Sequence, residues 1–455
     1  MSRHAARVLR SRPVHAPTPR GLAIQILRQL DQREGFSNRV LAEHLLAWSA
    51  DLARRDRGLV TLLVYGVLRH RARLDAMIDA FADRPSRLSA RLRELLRLAV
   101  FELRELGRPA HVAISQAQTL RQEFDPTGAL RGLVQAVLAA VDREGAALDE
   151  KFAGGKPLEA LALRWSIPRW LAGRMIKQIG PERALARARA VAVPPPVDLR
   201  VDLTRTTADA VLAALTEGDS RVTIEPVPDQ PQALRVRSGG ELTQHPLYHS
   251  GHFAVQGLGA QQASLALGPC PGEHVLDACC GMGTKTLHLA ELMQRRGKIV
   301  AADASVERLD AHTEMRQRGG LVDAPELELQ IFHGDLTQTL PGVDDDLYDA
   351  ILLDAPCTGL GNLGRHPELR WTSRYEDIAA CAALQRALLE RCLTRLRPTG
   401  RLVYAVCSLE PEEGPLLVRA VAEAHGFHLE LEQSWTPEEH ATDGFYLARL
   451  RHATP

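Results

Sequence analysis

Apolar side chains recur at helical spacing through the first third of the chain. Between residues 20 and 145 they fall every three or four positions, as in Leu22, Ile26, Leu27 and Leu30. This spacing gathers the apolar side chains on one face of a helix. The pattern therefore predicts, over 20–148, an all-α bundle of about five to seven short helices. The residues that interrupt the pattern are Gly35, Asp83–Pro85, Gly107–Pro109 and Pro126–Gly128.

The next hundred residues have a mixed pattern. A helical stretch from Pro157 to Ala192 ends at Pro194–Pro196, where consecutive prolines favour an extended chain. Shorter strand-like and helix-like stretches follow, so we predict a small α+β linker domain over 149–250. Its predicted later elements are a strand Val197–Leu203, a helix Ala208–Leu215, a strand Arg221–Val227 and a turn at Gly239 and Gly240.

From Gly272 onward, short apolar runs alternate with loops and helical stretches. This alternation is typical of a parallel α/β sheet, and we predict such a domain over 251–455. Two late runs, Phe427–Leu431 and Phe445–Leu450, are expected to close the sheet. The other predicted strands are Val275–Cys279, Ile299–Asp303, Leu327–His333, Tyr348–Asp354 and Arg401–Val406.

Composition narrows the class of protein. The chain has 455 residues, of which 25% are charged and 45% hydrophobic, a globular balance that predicts several domains. Seven cysteines without a repeating spacing favour reduced thiols in a cytoplasm over a disulfide scaffold. No apolar run approaches the ~20 residues of a membrane span. Residues 1–20 carry five arginines and no acid, so we predict a basic flexible tail over 1–19.

Charge is distributed unevenly along the chain. Residues 1–145 hold 24 arginines, no lysine and 15 acidic residues, a net charge of +9, and the remainder carries −9. A basic half of this kind is typical of proteins that contact nucleic acid. An arginine-rich helical surface that only contacts water fits the same numbers, and composition alone does not separate the two interpretations.

A glycine-containing loop follows the first strand of the predicted sheet. Glycines let the chain approach a ligand closely, and the helix that follows offers unpaired N–H groups. Asp303 ends the next strand, 22 residues after Gly281, where a carboxylate can accept hydrogen bonds from a ribose diol. This combination predicts a nucleoside cofactor, NAD or S-adenosylmethionine, although an ordinary tight turn has a similar pattern. The candidate cofactor-binding residues of the loop are Cys279, Cys280, Gly281, Met282, Gly283, Thr284 and Lys285.

Asp335 ends the third predicted strand. From there its carboxylate could reach an adenine amino group. A helix N-cap ahead of Leu336 is an alternative role, since Asp is a common capping residue.

Two cysteines and an aspartate are predicted at one edge of the sheet. The fourth strand delivers Asp354-Ala355-Pro356-Cys357, and the next strand delivers Cys407. Ligands of open α/β sheets bind at the carboxyl ends of the strands. A single cysteine there would be a structural residue as readily as a reactive one. Two at consecutive strand ends, together with Asp354, favour a chemical site.

These motifs resemble the bacterial RNA cytosine-5 methyltransferases of the Fmu/Sun type, which act on small-subunit ribosomal RNA. The resemblance extends from about Arg20 to Leu450. The chain departs from the family's usual first motif, C-A-A-P-G-G-K-T, at Met282 and Thr284, which replace the proline and the second glycine. The matching segments are Leu63–Arg69, Pro109–His111, Pro168–Leu171, Pro195–Val201, Val255–Gln256, Asp354–Gly361, Arg365–Trp371, Cys407–Ser408 and Asp443–Phe445.

The resemblance implies a NusB-like helical domain, a small linker domain and a Rossmann-like class I methyltransferase domain that uses S-adenosylmethionine. It implies that Cys407 is the attacking thiolate, that Cys357 assists release of the product, and that Asp354 contacts the target base. The cofactor would lie along the glycine loop, with Asp303 at its ribose and Asp335 at its adenine, and Asp354 is a further candidate cofactor-binding residue. We expect RNA, most of all small-subunit ribosomal RNA, as the partner, with no metal, no DNA, no membrane and no obligate protein partner.

Three other functions are compatible with parts of this pattern. A non-catalytic RNA-binding protein would explain the altered first motif, but not the retention of Lys285, Asp354, Cys357 and Cys407. An NAD-dependent oxidoreductase could use the same sheet, but it has no need of two thiols. The same cytosine chemistry on transfer RNA also fits the sequence.

Overall fold

A computed structural model describes residues 17–32, 37–217, 221–239 and 242–453. The described chain forms two compact units. The first contains the residues up to Val193 together with Leu363–Ser373, and the second contains Pro194–Asn362 and the residues from Arg374 onward. Most of the predicted basic tail, as well as Gly35 and Gly240, lies outside the described residues. None of the described helices is long and apolar enough to cross a membrane.

The first unit is helical, as predicted. Its first helix begins where the Thr18 side chain accepts a hydrogen bond from Gly21 N at 3.1 Å, with Pro19 in the first turn. Helices pack closely at Gly66, where a Cβ atom would lie 2.1 Å from the ring of Phe101. The α-helices of four or more residues before Val193 are Pro19–Asp31, Ser37–Ala47, Arg54–Phe81, Ala90–Arg104, Ala110–Gln122, Arg131–Ala153 and Arg169–Ala190, the last interrupted at Gly180.

A short segment from late in the sequence, Leu363–Ser373, completes the helical unit. Glu368 accepts a hydrogen bond from Ser37 N at 3.1 Å, and the indole of Trp371 donates to Leu68 O at 2.7 Å. Arg370 is 1% exposed and donates to backbone carbonyls of this unit. The sequence analysis placed this segment with the sheet of the last domain, because its position in the chain gives no sign of this packing.

The second unit begins with a small antiparallel sheet of four strands in the order β2-β3-β1-β4. The helix Ala208–Thr216 packs on it through Val211 and Leu215. The strand β3 was not predicted, since its alternating polar residues face a second packed layer and not solvent. The strands are β1 Val197–Val201, β2 Thr223–Val227, β3 Gln230–Ser238 and β4 Phe253–Val255.

The large sheet has seven strands in the order β10-β11-β9-β8-β5-β6-β7. Six run in one direction, but β11 is antiparallel to both of its neighbours, so the predicted parallel sheet is a mixed one. The chain returns from β10 into β11 without a crossover helix, and such a short connection joins antiparallel strands. The strands are β5 His274–Ala278, β6 Gly297–Asp303, β7 Leu327–His333, β8 Tyr348–Asp354, β9 Leu396–Val406, β10 Phe427–Trp435 and β11 Phe445–His452.

Helices cover both faces of this sheet, so its central strands are buried on both sides. The carboxyl ends of β9, β8, β5, β6 and β7 meet along one edge, which we call the rim. The loops that carry the candidate residues therefore leave the sheet side by side. The covering helices are Leu258–Leu267, Thr284–Leu292, Val306–Arg318, Tyr375–Leu393 and Pro415–His425.

Candidate active site

The loop after β5 makes a tight turn onto the helix Thr284–Leu292. Cys279, Gly281 and Gly283 have positive φ angles of 62°, 57° and 85°. A Cβ atom at Gly283 would lie 2.6 Å from Cε1 of His312, so the turn requires glycine there. Met282, which replaces the family's proline, is 61% exposed. The altered motif thus still forms a glycine turn that ends in a helix N-terminus.

Two other residues of this loop, Cys280 and Thr284, are fixed by hydrogen bonds to neighbouring strands. Cys280 is buried, and its N–H donates to Ala302 O in β6 at 2.9 Å. The carbonyl of Thr284 accepts a hydrogen bond from the buried Arg200 of β1 at 3.1 Å. The small sheet therefore supports the first turn of the helix that follows the loop.

The Asp303 carboxylate, at the end of β6, hydrogen-bonds both the loop after β5 and the loop after β6. Its Oδ2 accepts from Gly281 N at 2.9 Å, and its Oδ1 accepts from Ser305 N at 2.8 Å. Arg308, 54% exposed, lies 3.2 Å from the same Oδ1. A carboxylate can accept about four hydrogen bonds, so these three leave capacity for a ligand.

Asp335 lies next along the rim. Its Oδ1 accepts from the backbone N of Thr337 at 2.9 Å and from the Thr337 hydroxyl at 2.8 Å. These bonds form a turn and not a helix cap, because no helix begins at this point. The neighbouring Gly334 donates to Asp303 O at 3.1 Å, which places the two carboxylates on adjacent strand ends.

A buried carboxyl lies beneath the glycine loop. Asp277 is 0% exposed and accepts from the Thr286 hydroxyl at 2.6 Å. Burial raises its pKa to about 7, against the hydrogen bond from Thr286 and the charge of Lys285.

Lys285 reaches across the rim to Asp354. Its Nζ lies 2.6 Å from Asp354 Oδ2. Burial alone would lower the pKa of Lys285, but the Asp354 carboxylate outweighs it and the pKa is raised. The sequence analysis did not find this ion pair, because the two residues are 69 positions apart.

The two predicted thiols meet. Cys357 Sγ and Cys407 Sγ are 3.3 Å apart, at the ends of the neighbouring strands β8 and β9. The hydrogen bond with Cys407, together with burial, raises the pKa of Cys357 well above the ordinary value of a thiol. Cys357 therefore keeps its proton at neutral pH.

The loop after β8 is fixed by a close backbone crossing. Gly361 donates to Cys407 O at 3.0 Å and accepts from Gly444 N at 2.8 Å. A Cβ atom at Gly361 would lie only 2.2 Å from Gly444 O. The glycines of two separate motifs are thus needed for one contact that holds the Cys357 loop against the end of β9.

Sequence reasoning gave no role to Glu413, Thr358 and Gln385, which form a buried cluster behind the two thiols. Glu413 lies six residues after Cys407, and this closeness in sequence was the only available signal. Across the described residues, no three His, Cys, Asp or Glu side chains are grouped so as to hold a metal ion.

Three family models match the chain. They are the NusB family over residues 17–143, the RsmF/B-like methyltransferase ferredoxin-like domain over 167–243, and the 16S rRNA methyltransferase RsmB/F family over 264–451. A methyltransferase homologue from Pyrococcus horikoshii has a similar solved structure, with TM-score 0.57 and 28% identity, over 66% of this chain and 99% of that one. Together with the sheet and its rim, these matches define the second unit as a methyltransferase fold.

Whole-chain relatives agree with these matches. The chain is 32% identical to a probable ribosomal RNA small subunit methyltransferase B from Synechocystis, over 95% of this chain and 99% of the relative. It is 33% identical to the ribosomal RNA small subunit methyltransferase B of Vibrio cholerae, over 90% and 93%. The chain belongs to the RsmB/F family of ribosomal RNA methyltransferases.

Proposed function

We propose that this protein is an S-adenosylmethionine-dependent RNA cytosine-5 methyltransferase whose substrate is small-subunit ribosomal RNA. The observation that carries the proposal is the pair of thiols 3.3 Å apart at the rim, beside the Lys285–Asp354 ion pair. Cytosine C5 is a poor nucleophile and must be activated before it can be methylated. A thiolate that adds to the base supplies this activation.

The rim is suited to S-adenosylmethionine. The glycine turn brings backbone N–H groups to the start of a helix, and Asp303 retains acceptor capacity toward a ribose. Met282 in the loop after β5 and Val306 at the start of the helix after β6 are 61% and 53% exposed, and we assign them as apolar surface for the adenine. When bound, the cofactor supplies a methyl group on a positively charged sulfur.

Cys407 is the nucleophile in this proposal. Its thiolate adds to C6 of cytosine, and the C5=C6 electron pair moves to C5, which takes the methyl group. Solvent water acting as a base then takes the C5 proton and the C–H electron pair re-forms C5=C6. The C6–S electron pair stays on sulfur, so Cys407 leaves as a thiolate. This assignment follows the family resemblance, in which the thiol at the end of β9 attacks the base.

Asp354 and Lys285 act on charge in the proposed reaction. Asp354 accepts a hydrogen bond from the amino group of the base and so holds the pyrimidine ring beside the thiols. A Cys407 thiolate contributes to the raised pKa of Lys285, so the ammonium and the thiolate attract each other. The target base has to leave its stack for C5 and C6 to reach the thiol and the methyl group.

Substitution of each thiol tests the proposal. Cys407→Ala should abolish both methylation of small-subunit ribosomal RNA and any covalent protein–RNA adduct. Cys357→Ala should stall release, so the adduct should accumulate on denaturing gels. Cys270→Ala is the matched control, because this exposed thiol precedes β5 at the opposite edge of the sheet. An adduct with the Cys407 variant and none with the Cys357 variant would reverse the assignment.

The same assay separates the alternatives. Transfer RNA offered beside small-subunit ribosomal RNA tests the second substrate class, and methylation of transfer RNA alone would replace our proposal. A non-catalytic RNA-binding protein would bind RNA without methylating either one. The oxidoreductase alternative has no support from the family to which the chain belongs.

A further inference from the structure

We propose that Glu413 is a positioning residue that clamps the Cys357 loop to the Cys407 loop and so keeps the two thiols within reach of one base. The expected effect of Glu413 on turnover rests on the proposed function, whereas its effect on the distance between the two thiols does not. Glu413 is fully buried, with 0% of its surface exposed. It lies in the short turn Pro411–Glu413 that precedes the helix Pro415–His425.

Both carboxylate oxygens of Glu413 are occupied. Oε1 accepts from Thr358 N at 2.8 Å and from Gln385 Nε2 at 3.1 Å. Oε2 accepts from the hydroxyls of Thr358 and Ser408. The four donors account for the full acceptor capacity of a carboxylate, so its position is fixed from two sides.

The donors are the immediate neighbours of the thiols. Thr358 follows Cys357 in the loop after β8, and Ser408 follows Cys407 at the end of β9. One buried carboxylate therefore bonds to the residue next to each thiol. A shift of either loop would break at least one of these bonds, and Glu413 thus sets the separation between the two sulfur atoms.

The clamp is itself anchored to the sheet. The Tyr404 hydroxyl, buried in β9, donates to the backbone carbonyl of Glu413 at 2.6 Å. Gln385, which is 0% exposed, donates both to Glu413 and to Pro356 O at 2.8 Å. These contacts join Glu413 to the strand that carries Cys407 and to the loop that carries Cys357.

Charge indicates that Glu413 has a role beyond packing. All four donors are neutral, and in the part of the chain that the structure describes Glu413 forms no ion pair. Burial of a carboxylate without a cation is costly unless hydrogen bonds offset it, so the position of Glu413 depends on its four donors. The charge lies near Cys357, where it adds to the effects of Cys407 and burial that keep this thiol protonated.

The first test measures geometry without relying on methylation. Diamide, a diazene oxidant, converts two neighbouring thiols to a disulfide and is itself reduced to a hydrazine. Formation of the Cys357–Cys407 disulfide, followed by peptide mass spectrometry, should be at least tenfold slower in Glu413→Ala than in wild type. Glu413→Gln retains an acceptor for the two N–H donors and should stay within about threefold. Glu423→Ala is the control, since this acid is exposed on the following helix.

The second test measures turnover. In Glu413→Ala the kcat for RNA methylation should fall at least a hundredfold, while the KM for RNA and the Kd for S-adenosylmethionine stay within threefold. Glu413→Gln should recover at least a tenth of the wild-type kcat. If Glu413→Ala does not fold, Thr358→Val, which removes one hydroxyl donor, should show smaller changes in the same directions.

The two proposals fail in different ways. An unchanged rate of disulfide formation in the folded Glu413→Ala or Thr358→Val protein would overturn the clamp, whatever the activity. Equal losses in kcat and in cofactor affinity would also overturn it, because they would indicate a general disturbance of the rim. If Glu413→Ala slows disulfide formation, the clamp is supported. If the wild-type protein also methylates no RNA, the proposed function is overturned while the clamp stands.

Discussion

Each unit buries one charged side chain among neutral hydrogen-bonding partners, and the two charges have opposite sign. In the helical unit Arg370 has no carboxylate partner among the residues that the structure describes, and its guanidinium donates to the carbonyls of Arg69, Trp165 and Val191 at 3.0, 3.1 and 2.7 Å. In the catalytic unit Glu413 is an anion held by neutral donors. Arg370 joins pieces of helix that carry no proposed chemistry, whereas Glu413 joins the loops of two thiols.

Several other buried arginines of the helical unit are paired with acidic side chains, unlike Arg370. Arg97 lies 2.7 Å from Asp75, and Arg73 lies 2.5 Å from Asp149 and also pairs with Glu105. Much of the arginine content that sets the +9 charge therefore holds helices together. The difference between the units teaches that a count of charges overstates the surface available to RNA, and that the exposed arginines are the ones to test.

The largest effect should come from Arg370→Met. It leaves several buried carbonyls without a donor, and each costs about 1–3 kcal/mol. We expect the free energy of unfolding to fall by about 3–5 kcal/mol in chemical denaturation. Arg374→Met, at an exposed neighbouring position, should change it by less than about 0.5 kcal/mol. A loss below about 1 kcal/mol at Arg370 would remove the contrast between the two units.

A smaller effect, on the cofactor, is expected from Asp303→Ala. The substitution removes the tether to Gly281 N and the proposed bonds to a ribose, so S-adenosylmethionine should bind at least about tenfold more weakly. Calorimetry measures this directly. Asp310→Ala, an exposed acid on the helix Val306–Arg318, should leave the affinity unchanged. Equal affinities for both variants would exclude Asp303 from the cofactor site.

The smallest effect tests the exposed arginines. Arg54 and Arg55 are exposed in the first turn of the helix Arg54–Phe81, where cations do not stabilise a helix. Substitution of both by Gln should reduce the slope of log Kd for RNA against log salt by about 1–2, through counterion release. Arg143→Gln is the control, because Arg143 already bonds Glu144 at 2.6 Å. An unchanged slope in the double variant would mean that these two arginines do not contact phosphate.

Point substitutions are preferable here to deletion of residues 1–145. Leu363–Ser373 packs within the helical unit, so the deletion would also strip the partners of Arg370 and Trp371. A change in RNA affinity could then arise from the exposed segment and not from lost phosphate contacts.

Sequence patterns predicted most of this fold, for a physical reason. The central strand Tyr348–Asp354 was predicted to the residue, since burial on both faces demands a largely apolar run. The edge strand Leu327–His333 was also predicted to the residue, although it is mostly half-buried or exposed. β3 was missed because its polar residues pair inside the protein: Arg235 lies 2.8 Å from Asp198 and Gln232 contacts Gln261. The orientation of β11 also escaped prediction, as an apolar run carries no direction.

The candidate site shows the same limit. Strand ends can be read from the sequence, and they brought Asp354, Cys357 and Cys407 to one rim. The Lys285–Asp354 pair and the Glu413 cluster depend on where side chains meet after folding, across 69 and 55 residues. Local spacing contains no signal for such contacts.

The packing of Leu363–Ser373 has a consequence for synthesis of the protein. Ser37 and Glu368, which share a hydrogen bond, are 331 residues apart. A ribosome that adds about 5–20 residues per second needs roughly 15–70 s to make the intervening chain. The helical unit therefore emerges first but receives its last piece only after β8 has been translated. During that interval the groups that later bind Arg370 and Trp371 have no native partner, and the nascent chain is open to any factor that recognises this incomplete surface.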